Sequence, residues 1–372
     1  MMSGIVIPPE LRPADGRFGS GPSKVRPEAV AALARAAPGY LGTSHRAAPV
    51  RNVVRRLRRS LAELFSLPDG YEVVLGSGGA TTFWDVMAYC LIADKSQHVV
   101  FGEFSSKCAD ATGLAAHLKD PEVIESEPGT HPEPRPSPDV DLYALTHNET
   151  STGVAMAVSR PGPGLTAVDA TSAAGGMLVD PAQFDVYYFS PQKCFAADGG
   201  LWIAVVSPAA LDRAEAIAGS GRAVPPSLDL RIAVTNARKD QTYNTPGLAS
   251  LFLIVEQAEW MLAAGGLGWA ASRCSRSSDI LYSWAEATSY ARPFVTSPEE
   301  RSPVVVTIDF DLSVDASQIA ATLRANGILD TEPYRKLRRN QLRIATYPAV
   351  EPADIEKLTR SIDFVVAELA RL

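Results

Sequence analysis

Apolar and polar positions along the chain alternate between a helical and an extended period. From Val50 onward, Val54, Leu57, Leu61 and Leu64 recur at helical spacing. They predict an amphipathic helix whose basic residues, Arg51, Arg55, Arg56, Arg58 and Arg59, lie mostly off the apolar stripe on a solvated face. An earlier helical stretch opens at Pro27, where a first-turn proline is tolerated. Short continuous apolar runs follow at 71–75, 98–101, 142–146, 165–168, 186–189 and 201–206. Their β-branched and aromatic content reads as buried strands, and the helices or long crossovers between them predict a mostly parallel sheet. After Pro225 the pattern turns helical, with long helices at 246–262 and 269–287 around a glycine bend at 265–268. From about Pro293 it becomes α+β: strand 304–310, helix 317–325, strand 341–346 and helix 352–371. Residues 1–16 read as a loose leader, and the proline-dense stretch 128–138 as a surface loop.

Composition narrows the function classes. With 372 residues and 46% hydrophobic content, the chain can build a large core, and its length suggests two domains, or one large and one small. A net charge of −7 argues against a nucleic-acid partner, which needs a basic surface. Cys90, Cys108, Cys194 and Cys274 form no C-x-x-C pair and read as buried or inert thiols in a reducing compartment. The five histidines show no metal-ligand spacing, so no metal is expected. No apolar run approaches the ~20 residues of a membrane helix. The start of the chain lacks a basic segment followed by an apolar one, so a cytoplasmic protein is expected, with no membrane partner.

The candidate chemistry lies where strands end. The run 186–189 breaks into Ser190-Pro191-Gln192-Lys193 and closes on Gly199-Gly200 before the next strand. Lysines in turns are ordinarily solvated, but this one is held between two core strands. That placement suits a lysine forming a Schiff base with a carbonyl. Asp169 ends the strand at 165–168, where a buried carboxylate is costly unless a cation answers it. Thr150 follows the strand at 142–146, and Phe104 follows the one at 98–101, as a core aromatic or as a ring stacked on a flat ligand. Gly76-Ser77-Gly78-Gly79-Ala80-Thr81-Thr82 joins a strand to a helix, the arrangement that presents backbone amides and a helix dipole to phosphate. It is neither a Walker A loop nor G-x-G-x-x-G. An amine, a carboxylate, an aromatic ring, a hydroxyl and a glycine turn together meet the needs of pyridoxal phosphate.

Several longer segments carry a family likeness: FGSGPSKVR, GTSHR, GSGGATTFWD, HNETSTGV, VDATSAAGG, YYFSPQKCFAADGGLW, QTYNTP and GILDTEPYRKLRRNQLRIA. With these in order over nearly its whole length, the chain resembles the phosphoserine aminotransferases. These belong to the class-V aminotransferase family of fold type I pyridoxal phosphate enzymes, and the chain looks closest to the actinobacterial form. The resemblance implies an α/β fold with a seven-stranded-type sheet in a large domain (17–265) and a smaller C-terminal α+β domain (266–372), with the leader 1–16 packing on the latter. It implies that Lys193 binds the cofactor and shuttles a proton, and that Asp169 pairs with the pyridine nitrogen. It places Phe104 on the ring, Thr150 at the ring's 3-oxygen side, and Gly79, Ala80, Thr81 and Gln192 at the phosphate. Asn244 and Thr245 would reach the neighbouring subunit's cofactor in a homodimer. Arg46, with Ser20, would bind the amino-acid carboxylate, while His45, Arg335 and Arg343 would hold the substrate's phosphate. Some relatives carry arginine at the position of Ala80, leaving Tyr334, Lys336 or Arg338 to compensate.

The implied reaction is transamination between 3-phosphohydroxypyruvate and L-glutamate, in L-serine biosynthesis. The alternatives are a serine–glyoxylate aminotransferase or cysteine desulfurase of the same fold, or a non-catalytic cofactor- or anion-binding protein.

Overall fold

A computed structural model describes residues 4–371. Helices α1 (Pro27–Tyr40) and α2 (Ala48–Leu64) precede a run of strands and helices: β1 (Glu72–Ser77), α3 (Ala80–Cys90), β2 (Ser96–Val100), α4 (Glu103–Gly113), β3 (Glu122–Glu125) and β4 (Leu142–Thr146). A small hairpin, β5 (Asn148–Glu149) with β6 (Val154–Ala155), comes before β7 (Leu165–Asp169), β8 (Val186–Phe189) and β9 (Leu201–Val206). Helices α5 (Pro208–Gly219), α6 (Leu230–Ala237), α7 (Leu248–Ala264) and α8 (Gly266–Ala287) follow. The chain ends with β10 (Ala291–Pro293), β11 (Val305–Phe310), α9 (Ala316–Ala325), β12 (Gln341–Ala345) and α10 (Pro352–Leu369).

Seven strands form one sheet in the order β1-β9-β8-β7-β4-β2-β3, and only β9 runs against its neighbours. Both faces are covered, which is why the strands read as unbroken apolar runs. The two-residue alternation nevertheless sorts the side chains. Tyr187, Phe189, Leu201, Ile203 and Val205 face a core built with α1, α2 and α7. Val186, Tyr188, Trp202, Ala204 and Val206 face a second core with α3, α5 and α6. A third core lies between the antiparallel sheet β10-β11-β12 and helices α8, α9 and α10.

The leader departs from the loose segment expected. Within its described residues, the Ile7 amide donates to Asn326 Oδ1 (2.9 Å), the Ala14 amide donates to Asp354 Oδ1 (2.7 Å), and Leu11 O accepts from Ser361 Oγ (2.9 Å). The arginines of α2 also do more than face water. Arg55 and Arg58 bridge Asp240, and Arg56 reaches Glu256 and Glu259 on α7. The elements that the apolar pattern missed, β3, α4, α5, α6, β10 and the hairpin, are short or weakly patterned. Helix α8 begins at Gly266, three residues earlier than expected, and is bent 91° from α7. Among the described residues no single helix is long and apolar enough to cross a membrane.

Candidate active site

Lys193 stands four residues beyond the end of β8, in a turn fixed from two sides. Ser23 stitches it to the N-terminal segment, its hydroxyl donating to Lys193 O (2.6 Å) and its amide to Gln192 O (3.0 Å). Gln257 of α7 donates to Cys194 O (3.2 Å). The amine is therefore buried and aimed. Lys193 Nζ donates to Thr150 Oγ1 (3.3 Å) and lies 5.6 Å from the centre of the Phe104 ring. Gly21 makes room for it. At φ +141° it has a backbone that favours glycine, and a Cβ there would stand 2.6 Å from Lys193 Cε.

Burial, with the charge of Arg343 nearby, lowers the Lys193 amine from the ordinary lysine range to about 7. Asp169 and Glu149 oppose that shift. Only the neutral amine has a free electron pair. Uptake of pyridoxal phosphate by cofactor-free protein should therefore rise with pH up to about 7 and level off above it. Stopped-flow absorbance on both sides of neutrality checks this; a rise continuing into the ordinary lysine range would contradict it.

Asp169 closes β7 and is buried. Its Oδ1 accepts from the Thr171 amide (2.9 Å) and its Oδ2 from Trp84 Nε1 (3.1 Å). No cation forms an ion pair with it among the described residues. Burial pushes its carboxyl above the ordinary range, while these bonds and the more distant Lys193 charge pull it down. Such a carboxylate is suited to meeting a cationic ring nitrogen.

The glycine turn leads directly into α3. Gly78 has φ +111°, and a Cβ there would meet Thr82 Oγ1 at 2.2 Å, so the turn requires glycine. The Ala80 amide donates to Ser190 Oγ (2.8 Å), which ties the start of α3 to the lysine turn. The positive end of α3 thereby faces the space beside Gln192.

A cavity of about 250 Å³ joins these parts, lined by Gly21, Gly79, Ala80, Thr81, Trp84, Phe104, Thr146, Asn148, Thr150, Asp169, Thr171, Gln192 and Lys193. Three of its buried polar atoms have no hydrogen-bond partner: Asn148 Oδ1, Thr171 Oγ1 and Gln192 Oε1. Buried polar atoms are normally satisfied, so a cluster of unsatisfied ones marks a place for a polar ligand. Amine, carboxylate, aromatic face and helix N-terminus together fit pyridoxal phosphate. Among the described residues no group of three or more His, Cys, Asp or Glu side chains is placed to hold a metal.

Eight of the expected residues, Gly79, Ala80, Thr81, Phe104, Thr150, Asp169, Gln192 and Lys193, line this one cavity. Arg343, in the middle of β12, reaches its rim and donates to Thr150 O (3.1 Å). It is largely buried, and its Nε has no partner. Ser20 is also buried with an unpartnered hydroxyl, and its carbonyl accepts from Tyr347 Oη (2.8 Å). Asn244, Thr245, Arg46 and Arg335 are exposed and line no part of the cavity in this chain. His45 and Thr245 meet at the surface, Nδ1 to Oγ1, at 3.1 Å. Of the residues expected to compensate for Ala80, Lys336 is ion-paired to Glu103, and Tyr334 packs between Phe104 and the Arg343 guanidinium. Arg339, exposed beside them, pairs with the buried Asp309.

The residues that the sequence left unmarked are Gly21, Trp84, Thr146, Asn148 and Thr171. Two carried a local signal. Trp84 lies four positions after Ala80 and so shares its face of α3, and Thr171 follows Asp169 by two, the spacing of an Asx turn.

The model of the aminotransferase class-V family matches residues 18–330. The phosphoserine aminotransferase of Nocardioides sp. is 59% identical, covering 99% of this chain and 100% of its own length. That of Rhodococcus jostii is 58% identical with the same coverage. Among solved structures, the phosphoserine aminotransferase of Cytophaga hutchinsonii superimposes with a TM-score of 0.87 at 23% identity, over 94% of this chain and 99% of its own. That last likeness establishes the fold. The family model and the full-length identities show that the chain belongs to the class-V aminotransferases, in their phosphoserine aminotransferase branch.

Proposed function

We propose that the protein transfers the amino group of L-glutamate to 3-phosphohydroxypyruvate, giving O-phospho-L-serine and 2-oxoglutarate on the route to L-serine. The observation that carries this reading is the convergence of Lys193, Asp169 and Phe104 on one cavity, with Arg343 at its rim, bonded to Thr150 O but with its Nε unpartnered. The full-length relatives carry the name of this activity. When bound, pyridoxal phosphate supplies a carbonyl carbon for amine exchange and a conjugated ring that accepts the electron pair released at Cα.

The chain's own residues divide the remaining work. Asp169 would hold the proton on the ring nitrogen. Phe104 would shield the ring from water. Gly79, Ala80, Thr81 and Gln192 would hold the phosphate, and Thr150 would steady the ring's oxygen side. Lys193 Nζ would serve as the base that takes and returns the substrate Cα proton.

A buried guanidinium with an unpartnered N–H is completed by a carboxylate. We therefore assign the carboxylate common to all substrates to Arg343, with the unpartnered hydroxyl of Ser20 as a second donor. This reverses the roles expected for Arg46 and Arg343. Arg343→Ala should lower kcat/KM by about 10²-fold for glutamate and for the phosphorylated keto acid alike. Steady-state kinetics on both substrates checks it; a loss confined to the phosphorylated substrate would restore the original assignment.

Arg46, Arg335 and Arg338 have no ion-pair partner among the described residues and are the cations offered to phosphate. Because His45 is bonded to Thr245, both would serve the same site, that of the partner subunit in a homodimer. The reading also divides the chain into a large body (17–265) and a smaller one (266–372), with the leader on the latter. Four free, buried cysteines suit a reducing compartment such as the cytoplasm, and leave no exposed thiol for desulfurase chemistry. The test is a panel of keto acids with glutamate as donor to the purified protein. A preference for hydroxypyruvate or glyoxylate over the phosphorylated acceptor would overturn the substrate assignment.

A further inference from the structure

Apart from its charge acting on the Lys193 amine, Glu149 has no part in the roles above, yet it is fully buried, one residue before Thr150 at the end of β5. A buried carboxylate without a cation survives only if donors satisfy it. Five do. Glu149 Oε2 accepts from the amides of Phe104 (3.1 Å) and Ser105 (2.9 Å) and from Ser105 Oγ (3.0 Å). Its Oε1 accepts from the amide (3.1 Å) and hydroxyl (2.8 Å) of Ser151.

These bonds supply a cap that α4 lacks. The residue preceding the helix is Gly102, which has no side chain to offer, and a Cβ there would strike Glu149 Cγ at 2.4 Å. The first three amides of α4 are instead taken by Ser151 Oγ, which accepts from Glu103 (3.0 Å), and by Glu149, which accepts from Phe104 and Ser105. The positive end of the helix favours a carboxylate at this point. The cap comes from the turn that carries Thr150, so the backbone of the ring-covering residue is tied to the residue that meets Lys193 Nζ.

We propose that Glu149 is a positioning residue for the cofactor ring: by holding the first turn of α4, its carboxylate sets the Phe104 ring relative to Thr150 and Lys193. The proposal rests on the placement of pyridoxal phosphate in this cavity. Glutamine at 149 would keep the shape and one accepting oxygen, but would turn an NH₂ toward a second set of donors. It thus separates bridging from size.

The experiment compares full-length wild type, E149Q, S151A, F104A and the double variants E149Q/F104A and S151A/F104A. Pyridoxal phosphate affinity is read by fluorescence titration, and ring placement by the circular dichroism of the bound cofactor. E149Q should raise the Kd about tenfold and shrink the dichroic band, an effect of the size expected for a lost helix cap. S151A should act in the same direction to a smaller extent. In the F104A background either change should alter the Kd by less than about twofold, because the ring being positioned is gone. Equal factors in both backgrounds, or an E149Q protein with unaltered affinity and dichroism, would overturn the proposal. Should E149Q fail to fold, the S151A cycle reads the same coupling. Failure of the wild type to take up pyridoxal phosphate would overturn the cavity's assignment and this proposal together, whereas normal uptake with an unaltered E149Q overturns this proposal alone.

Discussion

Lys193→Ala is expected to lower kcat/KM for glutamate by at least ~10⁴-fold, since in the proposed function it would remove both the covalent anchor and the proton carrier. Lys193 is the only lysine lining the cavity. Lys24 is ion-paired with Asp15 and Lys336 with Glu103. The loss should come without a loss of fold. Burial pulls the amine to about 7, so at neutral pH the folded chain holds its proton less readily than the unfolded chain does. A base depressed in this way is a destabilising element below the ordinary lysine range and ceases to be one above it. Alanine should leave the cofactor-free Tm equal or higher at neutral pH. Steady-state assay, single-turnover absorbance with glutamate and a thermal melt check both halves. Turnover within about tenfold of wild type would remove Lys193 from the proton path.

Asp169→Asn is expected to cost about 10²- to 10⁴-fold in turnover while cofactor still binds. The amide keeps the volume, and its oxygen can still accept from the Thr171 amide, but it carries no charge toward the ring nitrogen. Trp84 Nε1 would then face either that same oxygen or an opposing NH₂. The signature is a split: near-normal cofactor absorbance with exchange of the substrate Cα proton nearly abolished. NMR exchange in deuterated buffer reads the proton step directly. Normal exchange in Asp169→Asn would mean that the carboxylate does not govern the ring.

The sheet and the lysine–aspartate pair were legible because strand ends are punctuated in one dimension. Continuous apolar runs stop at Ser190 and at Asp169, and the polar residues that follow have little choice of position. What escaped notice depends on contacts across the fold. The hairpin β5–β6 has two residues in each strand, too few for any periodicity, yet it carries Thr150 and Glu149. Helix α4 has no side-chain N-cap in its own sequence, because the cap comes from residues 149 and 151. Arg339 lies in a basic, polar run that looks solvated, and only the folded β11 brings Asp309 to it. Arg343 is indistinguishable from its basic neighbours until β12 aligns beside β11 and points it at Thr150.

Residues 17–23 are bonded at both ends of the active site. Phe18 is tied through its amide to Leu329 and through its carbonyl to Ala345, two residues beyond Arg343, while Ser23 is stitched to Gln192 and Lys193. This short segment is a tie-rod between the strand that carries Arg343 and the turn that carries Lys193. If Arg343 takes the substrate carboxylate as proposed, the segment would couple the place of recognition to the amine, and breaking its bonds would disturb both together.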